Sequence, residues 1–153
     1  MLTCLIGCPF TALADILGEF SIDLGERYTL NISSPWRFLM GKNIHLASRD
    51  LIVPTIAATN VYWEDDFNLD DSYYVFGKYK NVLNAKMAES TITKAEITET
   101  NDLILTFSNG VICQSFYDCS KHVEHWYIND RKENKRIVFC DKNGDLFIEP
   151  TRR

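Results

Sequence analysis

The segment Asp102 to Asp118, DLILTFSNGVICQSFYD, constrains this chain more than any other. Leu103, Leu105 and Phe107 alternate with Ile104 and Thr106, which is the two-residue period of a β-strand. Asn109-Gly110 follows, and Val111 to Tyr117 runs back. Asn-Gly accepts positive φ at both central positions of a two-residue turn, and that turn matches the twist of a hairpin. Apolar residues lie on both faces, so the hairpin is expected at the centre of a sheet and not at its edge.

The remaining elements are read in chain order. Residues 1–8 are apolar and fit a short strand or an irregular arm. Phe10, Leu13, Ile16, Leu17 and Phe20 follow the spacing of one helix face, with Pro9 acceptable in the first turn, so a helix is expected from Pro9 to Gly18. Glu26 to Ser33 alternates as a half-buried strand and is broken by Ser34-Pro35. Trp36 to Met40, Asn43 to Ser48 and Leu51 to Ala58 read as further strands, the last interrupted by Pro54. Tyr73 to Tyr79 reads as a short strand and Asn81 to Glu89 as a short helix burying Val82, Leu83 and Met87. Thr91 to Thr98, His125 to Asp130, Arg136 to Asp141 and Asp145 to Glu149 read as strands, several of them β-branched.

The two halves of the chain rhyme. A helix candidate comes first, then an alternating strand, then a tryptophan strand (Trp36-Arg37-Phe38 and Trp126-Tyr127-Ile128), then a turn and a strand ending in aspartate. This order predicts a duplicated unit with internal halves 1–72 and 73–153, in which Trp36 and Trp126 occupy equivalent places. The expected fold is therefore one α+β domain over residues 1–153. It should be mostly antiparallel, with eight to ten strands and one or two helices.

Composition narrows the function. Apolar residues make up 46% of the chain, which excludes a disordered polypeptide. No apolar run approaches the roughly 20 residues of a membrane helix. The formal net charge is −5, and it is uneven: residues 1–76 hold ten Asp/Glu against four Lys/Arg, and residues 77–153 hold eleven against twelve. An acidic chain argues against nucleic acid as partner and for a basic protein. Five cysteines without repeating spacing read as free thiols in a reducing compartment. Leu5-Ile6-Gly7-Cys8 matches the short pattern before a lipidated cysteine, but only seven residues precede Cys8 and none is basic, so a cytoplasmic chain is expected.

No motif points to catalysis. Cys113, Cys119, His122 and His125 have zinc-ligand chemistry, but their C-x5-C-x2-H-x2-H spacing is not that of a structural zinc site. His45, His122 and His125 could serve acid–base cleavage, yet no nucleophile elbow, P-loop or dinucleotide fingerprint accompanies them. The expectation is a non-enzyme with no cofactor. The basic group Arg131, Lys132, Lys135 and Arg136, interrupted by Glu133, reads as a hydrophilic hairpin tip. Asn60 to Ser72 is different. Glu64, Asp65, Asp66, Asp70 and Asp71 crowd into eight positions beside Trp63, Phe67, Tyr73 and Tyr74. The plain reading is a solvated connection. The functional reading is a contact face for a basic protein, formed by Trp63, Glu64, Asp65, Asp66, Asp70, Asp71 and Tyr74.

Two segments carry a family resemblance: Asn31 to Asp50, NISSPWRFLMGKNIHLASRD, and Asn101 to Asp118, continuing to Trp126. Their succession of a strand, Ser-Pro-Trp-Arg, a turn, a strand ending near aspartate and a later D-L-x-L-x-F-S-N-G resembles small bacterial immunity proteins of polymorphic-toxin systems. These include the systems of contact-dependent growth inhibition. The resemblance places no active-site residue on this sequence. It implies a cytoplasmic antidote that binds one cognate toxin C-terminal domain and does no chemistry. Toxins of this kind are often basic nucleases, some of them tRNases. The alternative is a small intracellular β-rich module for a different protein or ligand. The oligomeric state is open.

Overall fold

Short alternating segments account for most of this structure. In the computed structural model, which describes residues 2–16, 19–51, 75–116, 124–140 and 146–150, the strands are β1 (Phe10–Ile16), β2 (Glu19–Leu24), β3 (Tyr28–Ile32), β4 (Trp36–Met40), β5 (Asn43–Ala47), β6 (Ile92–Ile97), β7 (Leu103–Phe107), β8 (Val111–Ser115), β9 (Glu124–Asp130), β10 (Lys135–Cys140) and β11 (Leu146–Pro150). One α-helix among the described residues, α1 (Val75–Met87), precedes β6. The architecture is α+β and mostly antiparallel. One sheet has the order β1-β2-β3-β9-β10-β11 and the other β5-β4-β8-β7-β6. In β7 the period of two buries Leu103, Leu105 and Phe107, and β3 buries Tyr28, Leu30 and Ile32 in the same way. The β7–β8 hairpin lies inside its sheet, as its apolar faces required.

The core lies where the two sheets face each other. Phe20 of β2 stacks on Trp36 of β4 with centroids 3.8 Å apart, and Phe38 meets both rings edge-on at 6.0 and 5.9 Å. Phe10 of β1 meets Phe107 of β7 edge-on at 6.2 Å. Such offset and edge contacts add to the gain from area burial.

The connectivity is a doubled five-strand pattern. Strands β1, β2 and β3 form a meander in the six-stranded sheet, and the chain then crosses to the other sheet as hairpin β4–β5. Strands β6, β7 and β8 repeat the meander in the five-stranded sheet, and the chain crosses back as hairpin β9–β10. Each sheet thus joins a meander from one half to a hairpin from the other. The hydrogen bonds follow the same pseudo-twofold relation. Phe10 N–H donates to the Ser90 carbonyl at 2.8 Å, and its counterpart Ile92 N–H donates to the Cys8 carbonyl at 3.0 Å. At the crossovers, Ser33 N–H donates to the His125 carbonyl at 2.9 Å and Phe116 N–H to the Pro35 carbonyl at 2.8 Å. Trp36 pairs with Ser115, the last residue of β8, and Trp126 pairs with Ile32, the last residue of β3. The predicted equivalence of the two tryptophans is met, and both are buried. Strand β11 has no counterpart among the described residues.

Several expectations are corrected. Residues 10–16 are strand β1, not part of a helix from Pro9 to Gly18. Phe10 pairs with Leu24 and Ala12 with Asp23, leaving Thr11 as an extra residue in a β-bulge. The bulge puts Phe10 and Leu13 on one buried face three positions apart, and so imitates a helical period. The counterpart strand β6 has a bulge at the matching place, with Thr93 skipped between Ile92 and Lys94. Strand β2 pairs antiparallel with β1 where the helical spacing predicts only the end of a helix. Residues 75–79 are helical instead of extended, because α1 runs from Val75 and packs Leu83 and Met87 against the fold. Val82 is 49% exposed and not part of the buried side. Residues Leu2–Leu5 form a 3-10 turn, neither strand nor irregular arm. Leu51 ends a second 3-10 turn, Ser48–Leu51, and the rest of the expected strand Leu51 to Ala58 lies outside the described residues. The central hairpin turns through three residues, Ser108 to Gly110, with only Gly110 at positive φ (83°). Gly110 N–H donates to the Phe107 carbonyl at 2.9 Å, which closes a type I turn followed by a left-handed glycine.

Helix α1 lies against the edge strands β1 and β5 of the two sheets. Asn84 Oδ1 accepts the outward-facing N–H of Leu13 at 3.1 Å, so the helix occupies a sheet edge that would otherwise be open. Its C-terminal carbonyls are capped as well. Ser90 donates its hydroxyl to Met87 O at 2.6 Å, and Asn109 of the central turn donates to Lys86 O at 2.8 Å.

Candidate functional site

The six-stranded sheet has a second face, turned away from the core. Strand pairing defines it. Asp23, Thr29, Asn129, Arg136 and Glu149 lie in register across β2, β3, β9, β10 and β11. The next row holds Ser21, Asn31 and Tyr127. Strand alternation puts the apolar residues Ile22, Leu30 and Ile128 on the core side and these residues on the other.

Arg136 organises this face. It is only 8% exposed, and its guanidinium is held between carboxylates from both neighbouring strands. Nη2 donates to Glu124 at 2.7 Å and Nη1 to Glu149 at 2.8 Å. The guanidinium carbon lies 3.9 Å from the centroid of the Tyr127 ring. Burying a guanidinium is tolerable only when opposite charge and hydrogen bonds replace water, and two carboxylates and an aromatic face do so here. At the other end of the ladder, Asp23 accepts hydrogen bonds from Thr29 Oγ1 and Arg131 Nη2, both at 2.9 Å.

Some polar atoms at the centre of the face are less completely paired. Asn31 is 7% exposed, and its Nδ2 has no hydrogen-bond partner among the described residues. The same holds for the buried Oδ1 of Asn129 and for Nε of Arg136.

A second feature is a cleft of about 530 Å³ lined by Cys4, Ile6, Cys8, Glu26, Arg27 and Tyr28, among others. Burial pushes the Cys4 and Cys8 thiols up, so they remain protonated and unsuited to nucleophilic attack. Arg27 is engaged with Asp130 at 2.7 Å and with Glu133 at 3.2 Å. Hydrogen bonding from Arg27 holds the Asp130 carboxyl below the usual range, and Asp130 also accepts the N–H groups of Lys132 and Glu133 at 3.0 and 3.2 Å. This cluster fixes the β9–β10 turn.

The residues expected from sequence fall as follows. Trp63, Glu64, Asp65, Asp66, Asp70, Asp71 and Tyr74 all lie outside the described residues. So do Cys119 and His122, while Cys113 and His125 are buried strand residues. Burial pushes the Cys113 thiol up strongly, as for a core cysteine. No group of three or more His, Cys, Asp or Glu among the described residues is placed to hold a metal. Arg131, Lys132 and Lys135 sit at an exposed hairpin end as expected, with Arg131 bound to Asp23 and Lys135 to Glu133. Arg136 does not belong with them. It is buried on the polar face, beside residues that the sequence did not single out: Asn31, Tyr127 and Asn129. Its signal was present only as charge complementarity to Glu124 and Glu149, which becomes visible once the strand register is known. Comparison with protein-family models, curated protein sequences and solved structures finds no match.

Proposed function

We propose that this chain is an immunity protein that neutralises a cognate toxin domain, most consistent with a basic nuclease, by stoichiometric binding in the cytoplasm of the producing cell. The observation that supports the reading most is the Arg136–Tyr127 centre of the six-stranded sheet. It sets the Tyr127 ring, held by the buried Arg136 guanidinium and its two carboxylates, among the polar side chains of an outer sheet face, and tyrosine is a residue type that anchors protein interfaces. Preorganisation of this kind lowers the ordering cost of association. The net charge of −5 and the acidic run at Glu64 to Asp71 add electrostatic attraction toward a basic partner. No described helix is long and apolar enough to cross a membrane.

The test is co-expression with the product of the gene immediately upstream and purification through a tag on one partner. Tight co-purification with rescue of growth is expected. Charge reversal at Asp65 and Asp66 should slow association, with a weakened salt dependence. A folded protein that captures no toxin and rescues no growth would overturn the immunity reading.

A further inference from the structure

We propose that the outer face of the five-stranded sheet is a self-association surface, on which a second copy of this chain docks across a twofold axis. The proposal is independent of the toxin reading. Strand pairing lays an apolar row across that face: Ile44 of β5 pairs with Leu39 of β4, and Leu39 with Ile112 of β8. Ile104 of β7 stands diagonally beside Ile112, opposite Gln114. These side chains point away from the core, since the alternating Phe38, Leu105 and Cys113 are the ones buried inside it. Ile44 is 57% exposed, and the other three are half-buried. The pseudo-twofold relation shows that the fold does not demand an apolar face here. Counted from the two tryptophan pairs, Ile44 corresponds to Arg136, Leu39 to Asn129, Ile112 to Thr29 and Ile104 to Ser21. The same backbone positions are therefore polar on the outer face of one sheet and apolar on the other. An accessible apolar strip that the architecture does not require marks a contact surface.

The charges beside the strip select a second copy as the occupant. Lys94 of β6 ends the apolar row, next to Thr106. Glu96 lies two residues further along β6 and ends the neighbouring row of Arg37, Gln114 and Ile104. Lys94 Nζ and Glu96 Oε1 are 2.8 Å apart on this face. A twofold axis running across the strands, between the two rows, lays each strand over its own copy in reverse. It sets Lys94 of each copy against Glu96 of the other, Ile104 against Thr106, and Leu39 against the methylene stem of Arg37. Sheets stacked face to face lie about 10 Å apart, close enough for such side chains to interdigitate. A basic partner fits this face less well, because Arg37 and Lys94 outnumber Glu96 in the two rows. Strands about 4.8 Å apart and about five residues long give a face of roughly 400 Å² per copy, about 800 Å² in total against the roughly 1,200 Å² of stable complexes. The dimer is accordingly weak and reversible.

Sedimentation velocity of the full chain, from low micromolar to near-millimolar concentration, tests this. The parent should pass from monomer to dimer as concentration rises and go no further, because a twofold contact closes on itself. Each substitution acts twice in such a dimer, so Ile44→Glu should raise the dissociation constant at least about tenfold. Its side chain is exposed, so the variant should keep the circular dichroism and Tm of the parent. Ile112→Thr, which installs the residue type of the equivalent Thr29, should weaken the dimer in the same direction. Lys94→Glu should weaken it too, and the double exchange Lys94→Glu with Glu96→Lys should restore it. A parent that stays monomeric, or that grows into ever larger species, would overturn the proposal. So would a dimer that Ile44→Glu and Lys94→Glu leave unchanged. A monomeric parent whose Ile44→Glu variant no longer binds the upstream product would give this face to the toxin, which overturns self-association and leaves the immunity reading standing. A dimer lost in Ile44→Glu supports this face whether or not the upstream product binds.

Discussion

Replacing Phe38 with alanine asks whether two halves that exchange strands unfold as one unit. Phe38 is 0% exposed, sits in the middle of β4 and touches the rings of Phe20 and Trp36. Removing a buried phenylalanine ring loses its transfer free energy and leaves a cavity, together about 3–5 kcal/mol. The two edge-on contacts are each worth about 0.5–1.5 kcal/mol beyond area burial, which favours the upper part of that range. For a chain of this length one kcal/mol moves Tm by roughly 2–4 °C, so a fall of roughly 8–20 °C is expected. Urea and thermal unfolding would be followed by far-UV circular dichroism and tryptophan fluorescence. Since each sheet contains strands from both halves, the two probes must keep a common midpoint and move together. The urea dependence should keep its slope while the midpoint falls. Two separate transitions, with one unmoved, would refute the interlocked account. So would a loss below about 1 kcal/mol, which is too small for a ring-sized cavity.

Three further outcomes follow from the same structure. Asp130→Asn removes a carboxylate whose pKa is depressed in the fold by Arg27, while keeping an acceptor for the turn N–H groups. The stabilisation from a depressed carboxylate is present above its unfolded pKa of about 3.9 and is lost as pH falls through the lower folded value. The variant should therefore melt below the parent at neutral pH, and the gap should close under acid; a gap that widens below pH 4 would contradict this assignment of the charge. Arg136→Lys keeps the charge but loses the two-armed grip on Glu124 and Glu149 and the flat contact with Tyr127, for an expected loss of about 1–3 kcal/mol in urea unfolding. Co-expressed fragments 1–51 and 75–153 should assemble into a one-to-one complex with the circular dichroism of the intact chain, and neither should fold alone, because each sheet needs both.

How much of this was legible in the sequence depended on whether the period of two survived intact. The run Leu103 to Phe107 keeps it along the whole strand, with Leu103, Leu105 and Phe107 buried, and Trp36 to Met40 keeps it through Phe38. Strand β1 does not, because the bulge at Thr11 shifts the phase by one residue and yields a helix-like spacing from Phe10 to Leu13. Helix α1 was half visible. Its Leu83 and Met87 spacing is helical, but Val75-Phe76 has the residues of a strand, and packing on the sheet edges decides in favour of helix. The order of elements around the two tryptophans pointed to duplication. What it did not contain was the exchange of hairpins between sheets, since pairing partners 100 residues apart leave no local pattern. For the same reason the polar face was hidden: Asp23, Asn31, Asn129, Arg136 and Glu149 are ordinary surface residue types until register brings them together.

The central claim is stoichiometric capture of a toxin, and titrating toxin activity against this protein tests it most directly. The purified product of the gene immediately upstream would be held at a fixed concentration well above the expected Kd, and its toxic activity measured as the protein is added. Stoichiometric capture gives a straight decline to zero at one equivalent, with the toxin recovered intact after the complex is denatured. Activity that persists past several equivalents, or that disappears at a small fraction of one equivalent with the toxin chemically altered, would contradict it.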